Sequence, residues 1–154
     1  MRFADKVVLV TGASRGIGRA IAMMYGQQGA TVVGTSTSEA GAQALTDFFS
    51  EQSIKGMGVA LDVSSLDSIK AVMLVMKESV GMPQILINNA GITNDNILLR
   101  MNEDQWQDVI DTNLTGVYRL TKACAKSMFR AKAGRIINIT SVVGVTGNPG
   151  QANY

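Results

Sequence analysis

Three glycines near the N-terminus have a spacing that is typical of phosphate-binding loops. They lie in a segment that reads Thr11, Gly12, Ala13, Ser14, Arg15, Gly16, Ile17 and Gly18. Gly12 lets the chain turn sharply off a strand, Gly16 leaves room for a pyrophosphate, and Gly18 allows a helix to pack closely on the strand. Because a helix N-terminus attracts negative charge, the segment predicts a dinucleotide site. A glycine-rich turn without a ligand is the alternative.

The second predicted strand ends in residues that discriminate between two dinucleotides. An NAD-binding protein carries Asp or Glu about twenty residues after the glycines, where the carboxylate binds the ribose 2′-hydroxyl. This chain has Thr35, Ser36, Thr37 and Ser38 there. Neutral hydroxyls and Arg15 accept a 2′-phosphate that a carboxylate would repel, so the sequence predicts NADP(H). Alternatively, Arg15 is an ordinary solvated surface charge.

Composition argues against several other classes of site and partner. The chain has no histidine and one cysteine, Cys124, so the usual zinc and transition-metal ligand sets and a histidine-based triad are excluded, and no metal is expected. Acid–base chemistry must use Tyr, Lys, Asp or Glu. The 14 basic residues are scattered among 12 acidic ones, which disfavours a nucleic-acid partner. The single cysteine has no partner for a disulfide, and the apolar run at residues 7–10 is too short for a signal peptide or a membrane span. Together these features predict a cytoplasmic protein without membrane contact.

Alternating strands and helices must position these residues. Apolar β-branched runs predict strands at residues 7–11, 31–35, 58–61, 85–88 and 135–139, each covered on both faces. Helical patterns lie between them, at residues 16–28, 38–52, 65–80 and 103–131, the last capped by Asn102 and burying Cys124. The alternation predicts an α/β fold with a doubly wound, Rossmann-like parallel sheet. Its first and fourth strands flank the ligand site.

Four motifs in chain order resemble the short-chain dehydrogenase/reductase family, and the resemblance covers the whole chain. Besides the glycine segment they are carried by Asn88, Asn89, Ala90, Gly91, Asn113, Ser141 and Tyr154. The resemblance implies that residues 12–18 and Thr37 bind the coenzyme. It also implies that Asp62 and Val63 contact the adenine, and that residues 89–91 line the nicotinamide-side ribose. Asp62 could instead be a helix cap or a turn former, because Asp-Val-Ser-Ser opens a helix.

The same resemblance implies catalytic roles for three residues. Tyr154 gives a proton to the developing alkoxide, Ser141 hydrogen-bonds the carbonyl oxygen, and Asn113 supports a water-linked proton path. Family members lower the phenol pKa, ordinarily near 10, with a nearby lysine and the positive nicotinamide. The alternatives are a turn serine, a satisfied buried amide and an ordinary loop aromatic.

Within the family, the amino-acid sequence is most similar to a branch that reduces 3-oxoacyl groups on acyl carrier protein in bacterial fatty-acid synthesis. The resemblance is carried by residues 10–18, 88–93, 113–116 and 147–154. This implies acyl carrier protein as the partner and a homotetramer. Arg130 and Lys132 are candidate docking residues, or charges that complement a helix C-terminus. A reductase of acetoacetyl-CoA or another ketone, and a non-catalytic dinucleotide-binding module, are the alternative functions.

The family also places a catalytic lysine one helical turn beyond Tyr154, followed by further strands. We therefore expect residues 1–154 to be a single NADP-binding domain, truncated at its C-terminal end. By this reasoning the 154 residues alone reduce no ketone at a useful rate. They should also associate through an uncovered sheet edge.

Overall fold

The computed structural model describes all 154 residues and contains a five-stranded parallel sheet. The strands are β1 Val7–Val10, β2 Thr31–Ser36, β3 Gly56–Ala60, β4 Ile85–Asn88 and β5 Arg135–Asn138. The helices are α1 Gly16–Gln27, α2 Glu39–Glu51, α3 Leu66–Ser79, α4 Glu103–Ile110, α5 Gly116–Ala131 and α6 Val143–Thr146. A 3₁₀ turn at Leu98–Arg100 precedes α4, and a π-helical turn at Asp111–Thr115 joins α4 to α5.

The strand order is β3-β2-β1-β4-β5, with every pair parallel. In this order Leu9 of β1 lies between Val33 of β2 and Leu86 of β4. The chain first builds the sheet outwards from β1 to β3, then returns to the other side of β1. This order confirms the predicted doubly wound sheet and places the switch point between β1 and β4.

Two hydrophobic cores cover the two faces of the sheet. Alternate residues of β1 point to opposite faces, so Leu9 packs with residues of α3 and α5 while Val8 packs with residues of α1 and α2. Cys124 of α5 is fully buried in the first core, as expected. Burial raises the pKa of its thiol to about 12.

The predicted strand β5 differs from the expectation that both of its faces are covered. All four of its residues are exposed, whereas all four residues of β4 are buried. Ile136 and Ile137 keep 38% and 42% of their surface accessible. The expectation of two covered faces was wrong for β5, and the structure has there the uncovered apolar sheet edge that the sequence also predicted. Here β5 forms an edge of the sheet, with β4 as its one neighbour.

The long helix predicted over residues 103–131 is also corrected, since the π-helical turn interrupts it. Its start is confirmed: the Asn102 side chain accepts a hydrogen bond from the Gln105 N–H at 2.8 Å, and Gln105 Oε1 accepts one from the Asn102 N–H at 3.0 Å. This reciprocal capping box satisfies two backbone donors that a helix end leaves unpaired. None of the helices is long and apolar enough to cross a membrane.

Candidate active site

The glycine loop joins β1 to α1 at the carboxyl edge of the sheet, and each glycine has a backbone reason to be there. Gly12 and Gly16 have positive φ angles of 65° and 56°, which side-chain-bearing residues adopt at a cost. At Gly18 a Cβ would lie 2.2 Å from the Gly12 carbonyl oxygen. The close approach of the helix to the loop therefore depends on Gly18 having no side chain.

The loop presents a row of backbone amides that have no acceptor in the protein. Gly12 donates to Thr35 Oγ1 at 3.1 Å, and the buried Ala13 donates to the Thr35 carbonyl at 2.8 Å. The N–H groups of the next five residues, 14–18, donate to no protein atom. A Cβ built at Gly16 meets no atom within 4 Å, so the loop has room beside it. Unpaired amides at a helix N-terminus with open space beside them fit a phosphate group.

Thr11 and Asn89 fasten this loop to the loop that follows β4. Thr11 Oγ1 accepts hydrogen bonds from the N–H groups of Asn89 at 3.0 Å and of Ala90 at 2.9 Å. In return, Asn89 Nδ2 donates to the carbonyls of Thr11 at 3.0 Å and of Gly12 at 3.1 Å. The two ligand-side loops therefore hold one another. Sequence reasoning missed this role of Thr11, because nothing in its local pattern marks a partner 78 residues away.

Asn113 lies in the π-helical turn, and both polar atoms of its side chain form hydrogen bonds with the backbone of Ile92. Oδ1 accepts from the Ile92 N–H at 2.9 Å, and Nδ2 donates to the Ile92 carbonyl at 2.8 Å. The amide thus pairs with the chain after β4 as a neighbouring strand would. A Cβ on Gly91 would lie 3.3 Å from Asn113 Oδ1, so the amide also abuts that glycine. Asn113 is half-buried, so it is hydrogen-bonded but does not match the alternative of a buried amide.

Ser141 and Tyr154 both lie in the segment after β5. Ser141 Oγ accepts a hydrogen bond from the Val143 N–H at 3.2 Å, which leaves the hydroxyl proton free for another acceptor. Tyr154 is 40% exposed, and its hydroxyl has no hydrogen-bond partner in the protein. The preceding residue, Asn153, is buried and hydrogen-bonded, a contact that sequence reasoning did not identify.

The hydroxyl cluster predicted for the 2′-phosphate is smaller than its sequence implied. Thr35 is buried and accepts from Gly12, while Ser38 caps α2 by accepting from Gly41 at 3.1 Å. Thr37 is exposed and without a protein partner. Arg15 is exposed and forms no ion pair. Two of the four hydroxyls thus serve the fold, Ser36 is half-buried without a side-chain hydrogen bond, and the exposed Thr37 and Arg15 remain available to an anion.

Asp62 and Val63 have structural tasks at the end of β3. Asp62 Oδ1 accepts from the N–H of Ser64 at 2.9 Å and from its hydroxyl at 2.6 Å, which closes an Asx turn. The helix cap of α3 is Ser65 instead. Val63 is buried against Gly116, where an added Cβ would lie 3.0 Å from Val63 Cγ2. The turn-former alternative therefore describes Asp62 in this structure.

A line of exposed cations runs along α5. Lys122, Lys126 and Arg130 follow at four-residue intervals on one face, and α5 contains no acidic residue. Lys132 stands just beyond them, where the chain leaves the helix with a left-handed φ of 49°. None of these four cations forms an ion pair. The face is therefore a positively charged surface open to solvent.

Comparisons with known proteins connect these elements to one group of enzymes. The family pattern described as short chain dehydrogenase matches residues 6–154. The chain is similar to the 3-oxoacyl-[acyl-carrier-protein] reductase of Vibrio harveyi, with 52% identity over 154 residues, and to that of Escherichia coli K12, with 51% over 154 residues. Each match covers 100% of this chain and 62% of the relative. The chain thus spans about three fifths of the length of these curated relatives.

Proposed function

Because the chain belongs to the short-chain dehydrogenase family, we propose that it is the coenzyme-binding part of an NADPH-dependent reductase of 3-oxoacyl groups carried by acyl carrier protein. Members of this family are oxidoreductases that use a nicotinamide dinucleotide. The observation that carries the proposal is the row of unpaired amides at residues 14–18, at the β1–β4 switch point. The relatives' names supply the substrate class.

In this proposal the amides of residues 14–18 and the α1 N-terminus hold the pyrophosphate, as backbone donors do in other dinucleotide sites. The Arg15 guanidinium and the Thr37 hydroxyl bind the 2′-phosphate. Asp62 and Val63 flank the adenine, and residues 89–91 lie along the nicotinamide-side ribose. Residues 35–38 at the end of β2 carry hydroxyls where an NAD-binding protein has a carboxylate, which favours NADP(H) over NAD(H).

A nicotinamide held by these residues would supply a hydride to the ketone carbon. Ser141 uses its free hydroxyl proton to hydrogen-bond the carbonyl oxygen, which fixes the substrate and stabilises charge on that oxygen. Tyr154 transfers its phenol proton to the same oxygen. Asn113 holds Ile92 and thereby the chain that follows the coenzyme loop. Its part in a water-linked proton path stays a prediction.

Acyl carrier protein, an acidic partner, docks in this proposal on the cationic end of α5, at Arg130 and Lys132. The supporting observation is the row of unpaired exposed cations that continues along the helix through Lys122 and Lys126. Complementary charge speeds encounter and orients a charged partner before short-range contacts form. A homotetramer of the whole protein belongs to the same proposal.

Calorimetry tests which coenzyme binds, with the 154 residues extended to full length by the remaining part of the Vibrio harveyi relative. We expect NADPH to bind more tightly than NADH, and Arg15→Ala to weaken NADPH by about 1.5–3 kcal/mol, the usual contribution of a hydrogen bond to a charged group. NADH affinity should change little. Arg2→Ala, an exposed arginine near the N-terminus, is the matched control. Equal affinities for the two coenzymes would contradict the assignment.

A chimera tests the reaction and the partner. In it, the 154 residues are continued by the remaining part of the Vibrio harveyi relative, and NADPH oxidation is followed with a 3-oxoacyl carrier substrate and a small thioester. We expect turnover of both, and a raised KM for the carrier substrate alone after Arg130→Glu with Lys132→Glu. Lys55→Glu with Lys77→Glu makes the same charge change elsewhere. If both substrates respond alike, docking on α5 is wrong, and if neither is reduced, the proposed reaction is wrong.

A further inference from the structure

The residue immediately before Tyr154 forms a contact that the proposed reaction does not yet use. Asn153 is 6% exposed, and its Nδ2 donates to the carbonyl oxygens of Asn94 at 2.8 Å and of Gln105 at 2.9 Å. Carbonyl oxygens only accept hydrogen bonds, so this position needs a side chain with two donors on one atom. An asparagine amide meets that need, and an aspartate of the same shape does not.

The two acceptors belong to the ligand side of the molecule. Asn94 follows the loop after β4, close in sequence to residues 89–91, and Gln105 lies in the first turn of α4. The Gln105 side chain closes the capping box with Asn102, so its own backbone is held in place. Through Asn153 the last residues of the chain are therefore attached to a fixed point beside the coenzyme loop.

Neighbouring contacts repeat the attachment along the same segment. The Asn96 N–H donates to the Gly150 carbonyl at 2.9 Å. Gln151 Nε2 donates to the two carboxylate oxygens of Asp95, at 3.2 and 3.3 Å. Asn153 differs from these because it is buried and because its Oδ1 has no partner. Burying an unpaired oxygen costs stability, so the two hydrogen bonds donated by Nδ2 are what hold the side chain in this place.

We propose that Asn153, with the carbonyls of Asn94 and Gln105, forms an amide clamp that positions the Tyr154 phenol for proton transfer. The inference rests on the proposed reductase function and adds a positioning residue to it. Tyr154 is 40% exposed and its hydroxyl has no hydrogen-bond partner, so the buried contacts of the adjoining Asn153 are the nearest fixed point for the phenol. The rate of a catalysed reaction falls steeply when a catalytic group is displaced by as little as about 1 Å.

Asn153→Asp tests the clamp, since it keeps the shape and turns a carboxylate oxygen towards two carbonyl oxygens. Asn153→Ser, which retains one donor, is the second variant. Asn148→Asp is the matched control, because Asn148 is an exposed asparagine of the same segment that also donates one side-chain hydrogen bond, to Gln151 Oε1 at 2.8 Å. Tyrosine ring NMR of the 154-residue chain reports the position of Tyr154, whose signal is assigned with Tyr154→Phe. Turnover is measured in the chimera.

We expect Asn153→Asp to move the Tyr154 signal to that of a tyrosine in an unfolded peptide, while the Tyr25 and Tyr118 signals stay. In the chimera kcat should fall about 100-fold with an unchanged NADPH affinity. Asn153→Ser should lie between Asn153→Asp and the unsubstituted protein, and Asn148→Asp should match the latter. An unmoved Tyr154 signal overturns the clamp, as do changes in all three tyrosines or loss of the fold, which would show a general structural role. If the unsubstituted chimera is inactive, the reaction fails while the NMR result still decides the clamp.

Discussion

The glycine loop and the segment at residues 139–154 both lie at the carboxyl edge of the sheet, yet different contacts hold them. The loop leaves β1, whose four residues are buried, and it is fastened to the loop after buried β4 through Thr11. The later segment leaves β5, whose residues are all exposed, and is attached largely by side-chain amides. Changes near the loop should therefore alter stability and binding together. Changes in the later segment should alter position with a smaller loss of stability.

The largest difference is expected between two isoleucines that face each other in register. Ile87 of β4 is 1% exposed and Ile137 of β5 is 42% exposed, and the two are paired across the sheet. Ile87→Ala should lower the free energy of unfolding by about 4 kcal/mol, because it leaves a cavity in the core. Ile137→Ala should cost about 1 kcal/mol or less. Urea denaturation measures both, and equal losses would remove the contrast between the strands.

Gly18→Ala should have the next largest effect. It should lower the free energy of unfolding by about 3 kcal/mol and abolish coenzyme binding. The added Cβ would lie 2.2 Å from the Gly12 carbonyl oxygen, so backbone must move and the phosphate loop with it. Gly144→Ala is the matched control in α6, because no atom lies within 4 Å of the added Cβ. That control should be neutral or slightly stabilising. Wild-type NADPH affinity in Gly18→Ala would show that the loop tolerates the displacement.

Thr11→Val should lower the free energy of unfolding by about 2 kcal/mol. It keeps the shape of the side chain but removes the oxygen that accepts from the N–H groups of Asn89 and Ala90. The same substitution at Thr146, an exposed residue whose hydroxyl donates to the Val142 carbonyl at 3.2 Å, should change stability by less than about 0.5 kcal/mol. Similar values for both threonines would mean that the loop-to-loop connection contributes little.

The last prediction requires the smallest structural change and concerns the thiol of Cys124, which lies in the core beneath β4. Burial raises the Cys124 pKa from 9.0 to about 12, so at pH 8 the native thiol should react about 1000-fold more slowly than in the denatured chain. Between pH 9 and about 12 the unfolded chain loses this proton while the folded chain keeps it, so stability falls as pH rises through that window. Alkylation at pH 8 in the presence and absence of denaturant checks this. Rapid labelling of the native chain would show that α5 detaches readily.

Local patterns were sufficient to predict most of the fold. Strand β4 was predicted with its bounds, and the capped start of α4 was confirmed, because a run of β-branched residues and a capping Asn act within a few residues. The strand arrangement was predictable too, since a right-handed crossover leaves few ways to place consecutive parallel strands. The π-helical turn was not predicted, because the periodic pattern of residues 103–131 does not distinguish such a turn from the α-helix on either side of it.

Some features of the candidate site could likewise be predicted from the sequence, and others could not. The three glycines could be identified from sequence because a positive φ or a close backbone approach restricts the residue type at its own position. The structure alone showed that Thr35 and Ser38 serve the fold while Thr37 stays free, since hydrogen bonding depends on which groups meet.

By itself, the sequence determined the α/β alternation, the phosphate loop and the family, because these reside in local periodicity and in glycines at fixed spacing. Only the tertiary structure decided that the uncovered sheet edge is β5, that Thr11 joins two loops and that Asn153 attaches the Tyr154 segment to α4. Each of these depends on groups far apart in the chain. Burial and hydrogen bonding are properties of such pairs, and a residue's own neighbours in sequence do not specify them.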